Sequence, residues 1–228
     1  MHYRRFLAFL CGLLLALSGA VTMLASMIDG MGGSAPLMCA LMERYAPPVA
    51  TGLPQQHYPA MAEMITDYLS GRENTFQFTF AEGDAEYVCF HETEQQHMAD
   101  CKALFDLDRA VLLLSAFAAA LLCGGVYALR QHKRQLALGA AWGCLLPLAA
   151  VLVLIAWGAA DFDGLFILFH RLSFSNDLWL LNPQTDLLIR LMPTSFFVHY
   201  AALLGGTWLG LLLVLAAVAW RLFARWKQ

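Results

Sequence analysis

Four long apolar stretches, each at least 20 residues and free of Asp, Glu, Lys, Arg and His, alternate with polar segments along the chain. A helix needs about 20 apolar residues to cross the hydrocarbon core of a bilayer. Hydrophobic residues make up 60% of the sequence, whereas soluble domains contain about 45–50%. The pattern predicts an all-α membrane protein with transmembrane helices at Phe6 to Ile28, Ala110 to Leu129, Leu136 to Ala160 and Ala201 to Trp220.

The polar segment between the first two spans begins with punctuating residues. The Gly- and Ser-containing stretch 30–34 predicts a flexible exit from the first span, and the prolines between positions 47 and 54 break the sequence that follows. Pro59 is suited to open a helix, in which apolar residues recur at the i, i+3, i+4 and i+7 spacing until Gly71 ends it. We therefore expect a loop first and a short amphipathic helix after it.

A β-hairpin and a second helix are predicted farther along this segment. Phenylalanines at 76, 78 and 80 alternate with polar residues, and a turn-forming stretch separates them from Tyr87-Val-Cys-Phe90. Thr93 and Gln96 have the spacing of a capping box, which predicts a helix beginning near Glu94 and running toward the second span. The side chains expected on one face of that helix are His97, Asp100, Cys101 and Leu104.

The polar segment between the third and fourth spans is dense in aromatic residues and contains one histidine, His170. Aromatic side chains favour the membrane surface, so we expect an interfacial or re-entrant element. The turn at Asn182–Asp186 is suited to cap a short helix that reaches Met192 and is stopped by Pro193. The predicted fold is four transmembrane helices with a small α+β extracytoplasmic cap and this second outer segment.

The charges predict the orientation of the spans. All 17 acidic residues lie in the two segments just described, so the net charge of -3 conceals an uneven distribution and does not indicate a nucleic-acid partner. Two arginines precede the first span as in a signal peptide, but its apolar run is longer than the usual ~7–15 residues, so it is expected to stay uncleaved. By the positive-inside rule, eight basic residues are cytoplasmic, namely Arg4, Arg5, Arg130, Lys133, Arg134, Arg221, Arg225 and Lys227.

Three of the six cysteines, Cys39, Cys89 and Cys101, fall outside the predicted spans. On the outer side of a membrane a disulfide can persist, and an odd number leaves at least one thiol unpaired. The sequence leaves open whether any of the three is bonded.

Candidate chemistry belongs to the polar segments, because the spans lack the ionisable residues on which transporters depend. His91-Glu92 and His97, with Glu94 three residues before His97, suggest a metal site, but their spacing differs from that of the zinc motif HExxH. Neither GxSxG nor SxxK is present for a serine nucleophile. Two histidines on separate outer segments, His97 and His170, remain as an acid–base pair in which Asp100 orients one imidazole. Alternatively, each is an ordinary hydrogen-bonded surface group.

Two stretches resemble motifs of the lipoprotein intramolecular transacylase (Lit) family of bacterial membrane proteins. Glu94-Gln-Gln-His97-Met98-Ala-Asp100-Cys-Lys102 is similar to the signature E-x-x-H-M-x-D-V-K, and Phe169-His170-Arg-Leu-Ser-Phe174 is similar to F-H-x-x-F-F. The stretch from Trp179 through Pro183 and Asp186 to Phe197 continues the pattern. Cys101 replaces the usual valine and Ser173 an aromatic residue, and we expect these departures to alter local packing without touching either histidine.

The resemblance implies an enzyme that moves the sn-2 acyl chain of a diacylglyceryl-modified N-terminal cysteine onto the α-amino group of that cysteine, giving a lyso-form lipoprotein. His97 is expected to be the base and His170 its partner or oxyanion stabiliser, with the exchanged roles left open. No cofactor or metal is required, and the implied partners are diacylated bacterial lipoproteins and membrane lipid. The residues expected to bind or orient the substrate are Asp100, Lys102, Trp179, Asp186 and Arg190.

These expectations divide the chain into 1–28, 29–109 with His97, 110–160, 161–198 with His170, and 199–228. The protein would lie in the cell membrane with both termini in the cytoplasm and the active site on the extracytoplasmic side. Two rival functions stay open: a non-catalytic anchor or sensor with an acidic outer cap, which would tolerate loss of either histidine, and a metal-dependent membrane hydrolase, which chelators would inactivate.

Overall fold

A computed structural model describes residues 2–225, and only the backbone of Glu82. Lys227, predicted to be cytoplasmic, lies outside the described residues. Single 3-10 turns occur at Gln55–His57 and Arg130–His132. The remaining elements are α1 (His2–Gly32), α2 (Ala35–Tyr45), α3 (Pro48–Thr51), α4 (Tyr58–Leu69), β1 (Thr79–Glu82), β2 (Ala85–Val88), α5 (Glu92–Ala128), α6 (Lys133–Ala160), α7 (Phe162–Ser173), α8 (Leu187–Leu191) and α9 (Thr194–Arg225).

Four helices, α1, α5, α6 and α9, are long and apolar enough to cross a membrane, which confirms the four predicted spans. The 37 residues of α5 extend well beyond its span. Its spanning part is the uncharged portion from Ala110 onward, whereas the portion from Glu92 to Arg109 is polar. The chain divides by its internal contacts into two compact units, and the boundary within α5 falls between Asp108 and Arg109.

The first unit, called the bundle unit here, comprises the described parts of 1–27, 109–160 and 202–228. Helices α1 and α6 approach so closely in it that a methyl group at Gly12 or Gly139 would collide with the other helix's backbone. Small residues allow such contacts within membranes. Trp208 Nε1 also donates a hydrogen bond of 3.1 Å to the Ala20 carbonyl oxygen, which fastens α9 to α1.

The second unit, called the histidine unit here, comprises residues 28–108 and 161–201. It has a hydrophobic core like that of a soluble domain, in which α2, α4, α8 and the beginning of α9 contribute buried side chains. The largest fully buried apolar side chains of this core are Tyr58, Phe196, Met42, Leu53, Met61, Ile65 and Leu191.

The beginning of the histidine unit is more helical than predicted. Helix α1 continues to Gly32 and α2 begins at Ala35, so the loop expected at 30–34 shrinks to two residues. Ser34 Oγ caps α2 by accepting the Leu37 N–H at 3.4 Å. The prediction of a loop was wrong because this cap starts a new helix directly. The amphipathic helix predicted from Pro59 is confirmed as α4.

The predicted hairpin is confirmed, although it is shorter than the alternating pattern suggested. Strands β1 and β2 pair antiparallel with Phe80 opposite Tyr87. Phe76 precedes β1 and is buried against Phe90 at a centroid distance of 4.6 Å, so its place in the alternation reflects core packing. The short helix predicted after the Asn182–Asp186 turn is confirmed as α8, and Asp186 occupies its N-cap position. The aromatic stretch before that turn forms α7, a helix that the sequence pattern did not specify.

Helix α5 begins at Glu92, two residues before the expected start. The Glu94 carboxylate accepts the His91 backbone N–H at 2.8 Å, so Glu94 closes the first turn. A capping box of Thr93 and Gln96 was therefore the wrong assignment, because the same type of contact occurs two residues earlier.

Candidate active site

The buried polar side chains among the described residues all lie in the histidine unit, and two of them are the predicted histidines. His97 on α5 is 7% exposed and His170 on α7 is 8% exposed. Their ring centroids lie 6.2 Å apart with an interplanar angle of 30°. The fold thus brings together two imidazoles from distant parts of the sequence and removes both from solvent.

The His97 ring is held by one aromatic contact and one thiol. Phe174 meets it edge to face at a centroid distance of 5.2 Å. Its Nε2 atom lies 3.6 Å from Cys101 Sγ, whereas its buried Nδ1 atom has no hydrogen-bond partner among the described residues. Burial, with a smaller contribution from the nearby His170, lowers the pKa of His97 to about 4, and Asp100 opposes this shift. His97 is therefore neutral at neutral pH and has one nitrogen available.

His170 is fixed by a hydrogen bond of 2.8 Å between its Nδ1 atom and the Phe166 carbonyl oxygen. A carbonyl oxygen can only accept, so Nδ1 carries the proton and Nε2 carries a lone pair. Phe166 and Trp179 pack against the ring at centroid distances of 4.1 and 5.0 Å. Burial lowers the pKa of His170, while the hydrogen bond to Phe166 opposes the shift.

Two further predicted residues lie beside this pair. Trp179 packs directly on His170, as described above. Asp100 stands one turn beyond His97 on α5 and accepts a hydrogen bond of 2.9 Å from the side-chain amide of Asn176. That bond connects α5 to the segment after α7, so Asp100 contributes both negative charge near His97 and a link between the two histidine-bearing segments.

Glu94 provides a second connection between these segments. Its side chain is fully buried, and one carboxylate oxygen accepts the Leu188 backbone N–H at 2.7 Å while the other accepts the His91 N–H. The same carboxylate therefore holds the first turns of α5 and α8. Burial raises its pKa, and the two backbone hydrogen bonds oppose that shift.

The other predicted residues have structural partners. Lys102 donates a hydrogen bond of 2.8 Å to the Glu73 carbonyl oxygen and lies 4.6 Å above the Tyr68 ring. Asp186 accepts the Asn182 N–H at 2.7 Å, and Arg190 donates to the Asp186 carbonyl oxygen at 3.1 Å. These contacts join α5 to the α4 end and stabilise the turn before α8; they do not reach the histidine rings.

The metal set considered from the sequence is not assembled as expected. Among the described residues, the group close enough to hold an ion is His91, Glu94 and Asp186, with ligand atoms within 4.8 Å of one another, and it leaves out His97. Both Glu94 oxygens already accept backbone hydrogen bonds. The contacts of Glu94 are explained by its structural role.

Sequence reasoning missed the role of Cys101. We expected its replacement of valine to leave both histidines untouched, yet its sulfur contacts His97. The i, i+4 spacing already placed both side chains on one face, and that spacing was the available signal. All six cysteines are free thiols, so the open question of a disulfide is answered in the negative for this structure.

The comparisons with known proteins agree with this architecture. The model of the family described as lipoprotein intramolecular transacylase Lit matches residues 13–197. The in meso structure of the membrane-integral transacylase Lit from Bacillus cereus superposes with a TM-score of 0.74 and 19% identity, covering 99% of this chain and 98% of that one. A variant of the same protein with one histidine replaced by arginine gives 0.68 and 21%, covering 99% and 94%.

A comparison with curated protein sequences finds no match. The family match nevertheless spans well over half of the 228 residues, and the structural likeness independently supports the fold. This chain therefore belongs to the lipoprotein intramolecular transacylase (Lit) family, a family of membrane-integral acyltransferases.

Proposed function

We propose that this protein transfers the sn-2 acyl chain of a diacylglyceryl-modified lipoprotein onto the α-amino group of its N-terminal cysteine. The observation that carries the proposal is the pair of buried, neutral imidazoles whose rings lie 6.2 Å apart. Each neutral imidazole has one accepting and one donating nitrogen. The pair therefore supplies a proton acceptor and a proton donor without a metal ion or an activated acyl donor.

The reaction needs one proton to change position and consumes no other reactant. The α-amino nitrogen attacks the ester carbonyl carbon, a C–N bond forms, and the bond between that carbon and the sn-2 glycerol oxygen breaks. The nitrogen loses a proton and the glycerol oxygen gains one. An α-amino group has an ordinary pKa near 7.7–8.0, so a base at the site increases the fraction that can attack.

The hydrogen bonds support an assignment opposite to the one expected from the sequence. Because His170 Nδ1 donates to Phe166, the His170 Nε2 lone pair can take the amine proton and return it to the glycerol oxygen. His97, with its pKa lowered to about 4, is the weaker base. Its unpaired Nδ1 atom is suited to donate to the oxygen of the tetrahedral intermediate.

Burial of the pair also protects the substrate from water. An ester held beside two imidazoles is exposed to hydrolysis if water enters, and the surrounding Phe166, Phe174 and Trp179 rings exclude water. Because attacking amine and ester belong to one molecule, the enzyme accelerates the reaction mainly by holding the lipopeptide head in one geometry. Asp100 and Trp179, beside the histidines, are the candidates to hold it.

We place the reaction on the extracytoplasmic side of the cell membrane. The support is the arrangement of charges in the sequence. The segments at both termini and the link between α5 and α6 carry only basic charges. The histidine unit would then contact diacylated lipoproteins held in the outer leaflet.

The test is fragmentation mass spectrometry of a diacylated lipopeptide incubated with the parent protein, His97→Gln or His170→Gln. We expect one acyl chain to move from glycerol to nitrogen at constant mass with the parent and with neither of these variants. His57→Gln is the matched control, because His57 lies in the same unit and contacts Phe80 rather than the pair. Conversion with both histidine variants would overturn the catalytic role of the pair, whereas no conversion by the folded parent protein would sink the proposal and leave the anchor. A mass loss of one fatty acid that chelators prevent would favour the hydrolase.

A further inference from the structure

The thiol of Cys101 is placed to control the state of His97. Cys101 lies one helical turn beyond His97 on α5, and its Sγ atom is 3.6 Å from His97 Nε2. Burial raises the pKa of this thiol to about 12, with a further contribution from Asp100, so the sulfur keeps its proton at neutral pH. An S–H group next to an imidazole nitrogen can donate to it or accept from it.

The direction of the hydrogen bond between Cys101 and His97 Nε2 decides whether the other nitrogen, Nδ1, carries the ring proton. Nδ1 is buried on a ring that is only 7% exposed, and it has no hydrogen-bond partner among the described residues. A buried polar atom without a hydrogen-bond partner costs the folded protein about 1–3 kcal/mol of stability. The available partner is the substrate, and the proton position decides whether Nδ1 meets it as donor or acceptor.

His170 already supplies an accepting nitrogen, because its Nδ1 proton is committed to the Phe166 carbonyl oxygen. A second acceptor at His97 would leave the pair without a donor for the developing oxyanion. A proton on His97 Nδ1 completes the pair, and this tautomer requires Nε2 to accept the Cys101 S–H.

We propose that Cys101 is a positioning residue that donates its S–H to Nε2 of His97 and thereby keeps the ring proton on Nδ1, toward the substrate carbonyl oxygen. This inference rests on the proposed function. The protonated thiol is not suited to be a nucleophile, since only a thiolate attacks an ester. The thiol acts through His97 and forms no covalent intermediate with the acyl chain.

The decisive experiment is nitrogen NMR of the full-length protein labelled with [15N]histidine, in detergent, with the His97 signals identified by their loss in His97→Gln. Protonated and unprotonated ring nitrogens have distinct shifts, so the tautomer is read directly. We expect Nδ1 to be protonated in the parent and in Cys101→Ser, because a hydroxyl also donates. In Cys101→Val, which introduces the residue typical of the family signature, we expect a mixture or protonation at Nε2.

The activity arm uses the same variants and the lipopeptide assay. Removing a donor from Nε2 takes away a bond that favours neutral His97, so in Cys101→Val the pKa of His97, followed by the same nitrogen signals across pH, should rise. The other titratable groups facing His97 are Asp100 on α5 and His170 on α7, and they are unchanged. We expect the turnover rate to fall about 3- to 10-fold, as for one lost hydrogen bond.

Cys89→Val is the matched control, since Cys89 is another free, half-buried thiol of this unit, and it should leave the His97 tautomer and the pKa of His97 unchanged. Protonation of His97 at Nε2 in the parent, or an unchanged tautomer in Cys101→Val, would overturn the proposal. Failure of the parent to convert the lipopeptide, with the expected tautomers observed, would instead overturn the proposed function and leave the Cys101 contact assigned.

Discussion

The two units of this protein solve different packing problems with different side chains. In the bundle unit, glycines on α1 and α6 let backbones touch, and long apolar side chains such as Leu113 and Leu213 remain exposed on the helix surfaces. In the histidine unit, large apolar side chains fill a core that also contains Glu94 and both candidate catalytic histidines. The buried carboxylates and imidazoles among the described residues are confined to this second unit.

The difference follows from the solvent that each unit meets. Lipid is as apolar as a leucine side chain, so exposed leucine costs the bundle nothing and close backbone contact provides its stability. The histidine unit has a hydrophobic core, and such a core is what allows imidazoles and a carboxylate to be desolvated and held at fixed distances. The comparison predicts that substitutions in the first unit change stability, whereas those in the second also change chemistry.

The largest effect is expected at the two histidines. His170→Gln removes the proposed base and should lower the rate of acyl transfer about 10²- to 10⁴-fold, the usual contribution of acid–base catalysis. Initial rates from the lipopeptide assay, with thermal unfolding of the same samples, measure the effect. A fall in the midpoint large enough to account for the lost rate would contradict a catalytic role.

Glu94 should matter next, because it is a buried structural group of the histidine unit. Glu94→Ala leaves the His91 and Leu188 N–H groups without their acceptor and should cost roughly 2–4 kcal/mol of unfolding free energy. Glu94→Gln keeps one accepting oxygen and should lose about half as much. Equal midpoints for Glu94→Ala and the parent would show that the two segments do not depend on this carboxylate.

Acid should weaken the histidine unit selectively. His97 has a folded-state pKa of about 4, below its ordinary value near 6.5, so its neutral form favours folding. Its contribution, at most about 3 kcal/mol, is fully present above pH ~6.5 and is lost as the pH falls toward 4. Unfolding midpoints of the parent and His97→Gln between pH 7 and 4 isolate the contribution of this residue. Parallel pH curves for the two proteins would refute it.

The smallest effect is expected in the bundle unit. Gly139→Ala places a methyl group against the Phe9 carbonyl oxygen and should destabilise the protein by about 1–3 kcal/mol, with little change in the rate per folded molecule. Gly210→Ala is its control on α9, because nothing lies within 4 Å of the added carbon. If Gly139→Ala reduces the acyl-transfer rate per folded molecule, substitutions in the bundle unit affect chemistry as well as stability, and the comparison between the units is wrong.

The elements that depend on local composition or residue spacing were predictable from the sequence. Composition or spacing indicates the four spans, α4, the hairpin and both histidine motifs. Contacts between distant residues were not predictable in that way. Nothing in the sequence near Glu94 specifies that its carboxylate accepts the Leu188 N–H, and the bond exists only because α5 and α8 pack together.

The Cys101 contact shows that a visible spacing does not by itself predict the effect of a contact. Its spacing from His97 was visible, but the effect of the sulfur depends on burial and on the free Nδ1 atom, which are properties of the folded chain. The base that we propose differs from the one expected for the same reason, since the carbonyl partner of His170 decides which of its nitrogens holds the proton.

The bond from Leu188 to Glu94 also has a consequence for biosynthesis. A ribosome makes the chain from the N-terminus, so His97 and Glu94 are complete long before Leu188 emerges, by which time α1, α5 and α6 have already been synthesised. The nascent chain therefore carries a solvated carboxylate and a separated histidine until its last quarter is made. Acyl-transfer capacity arises as one of the final events of assembly, after most of the membrane insertion is finished.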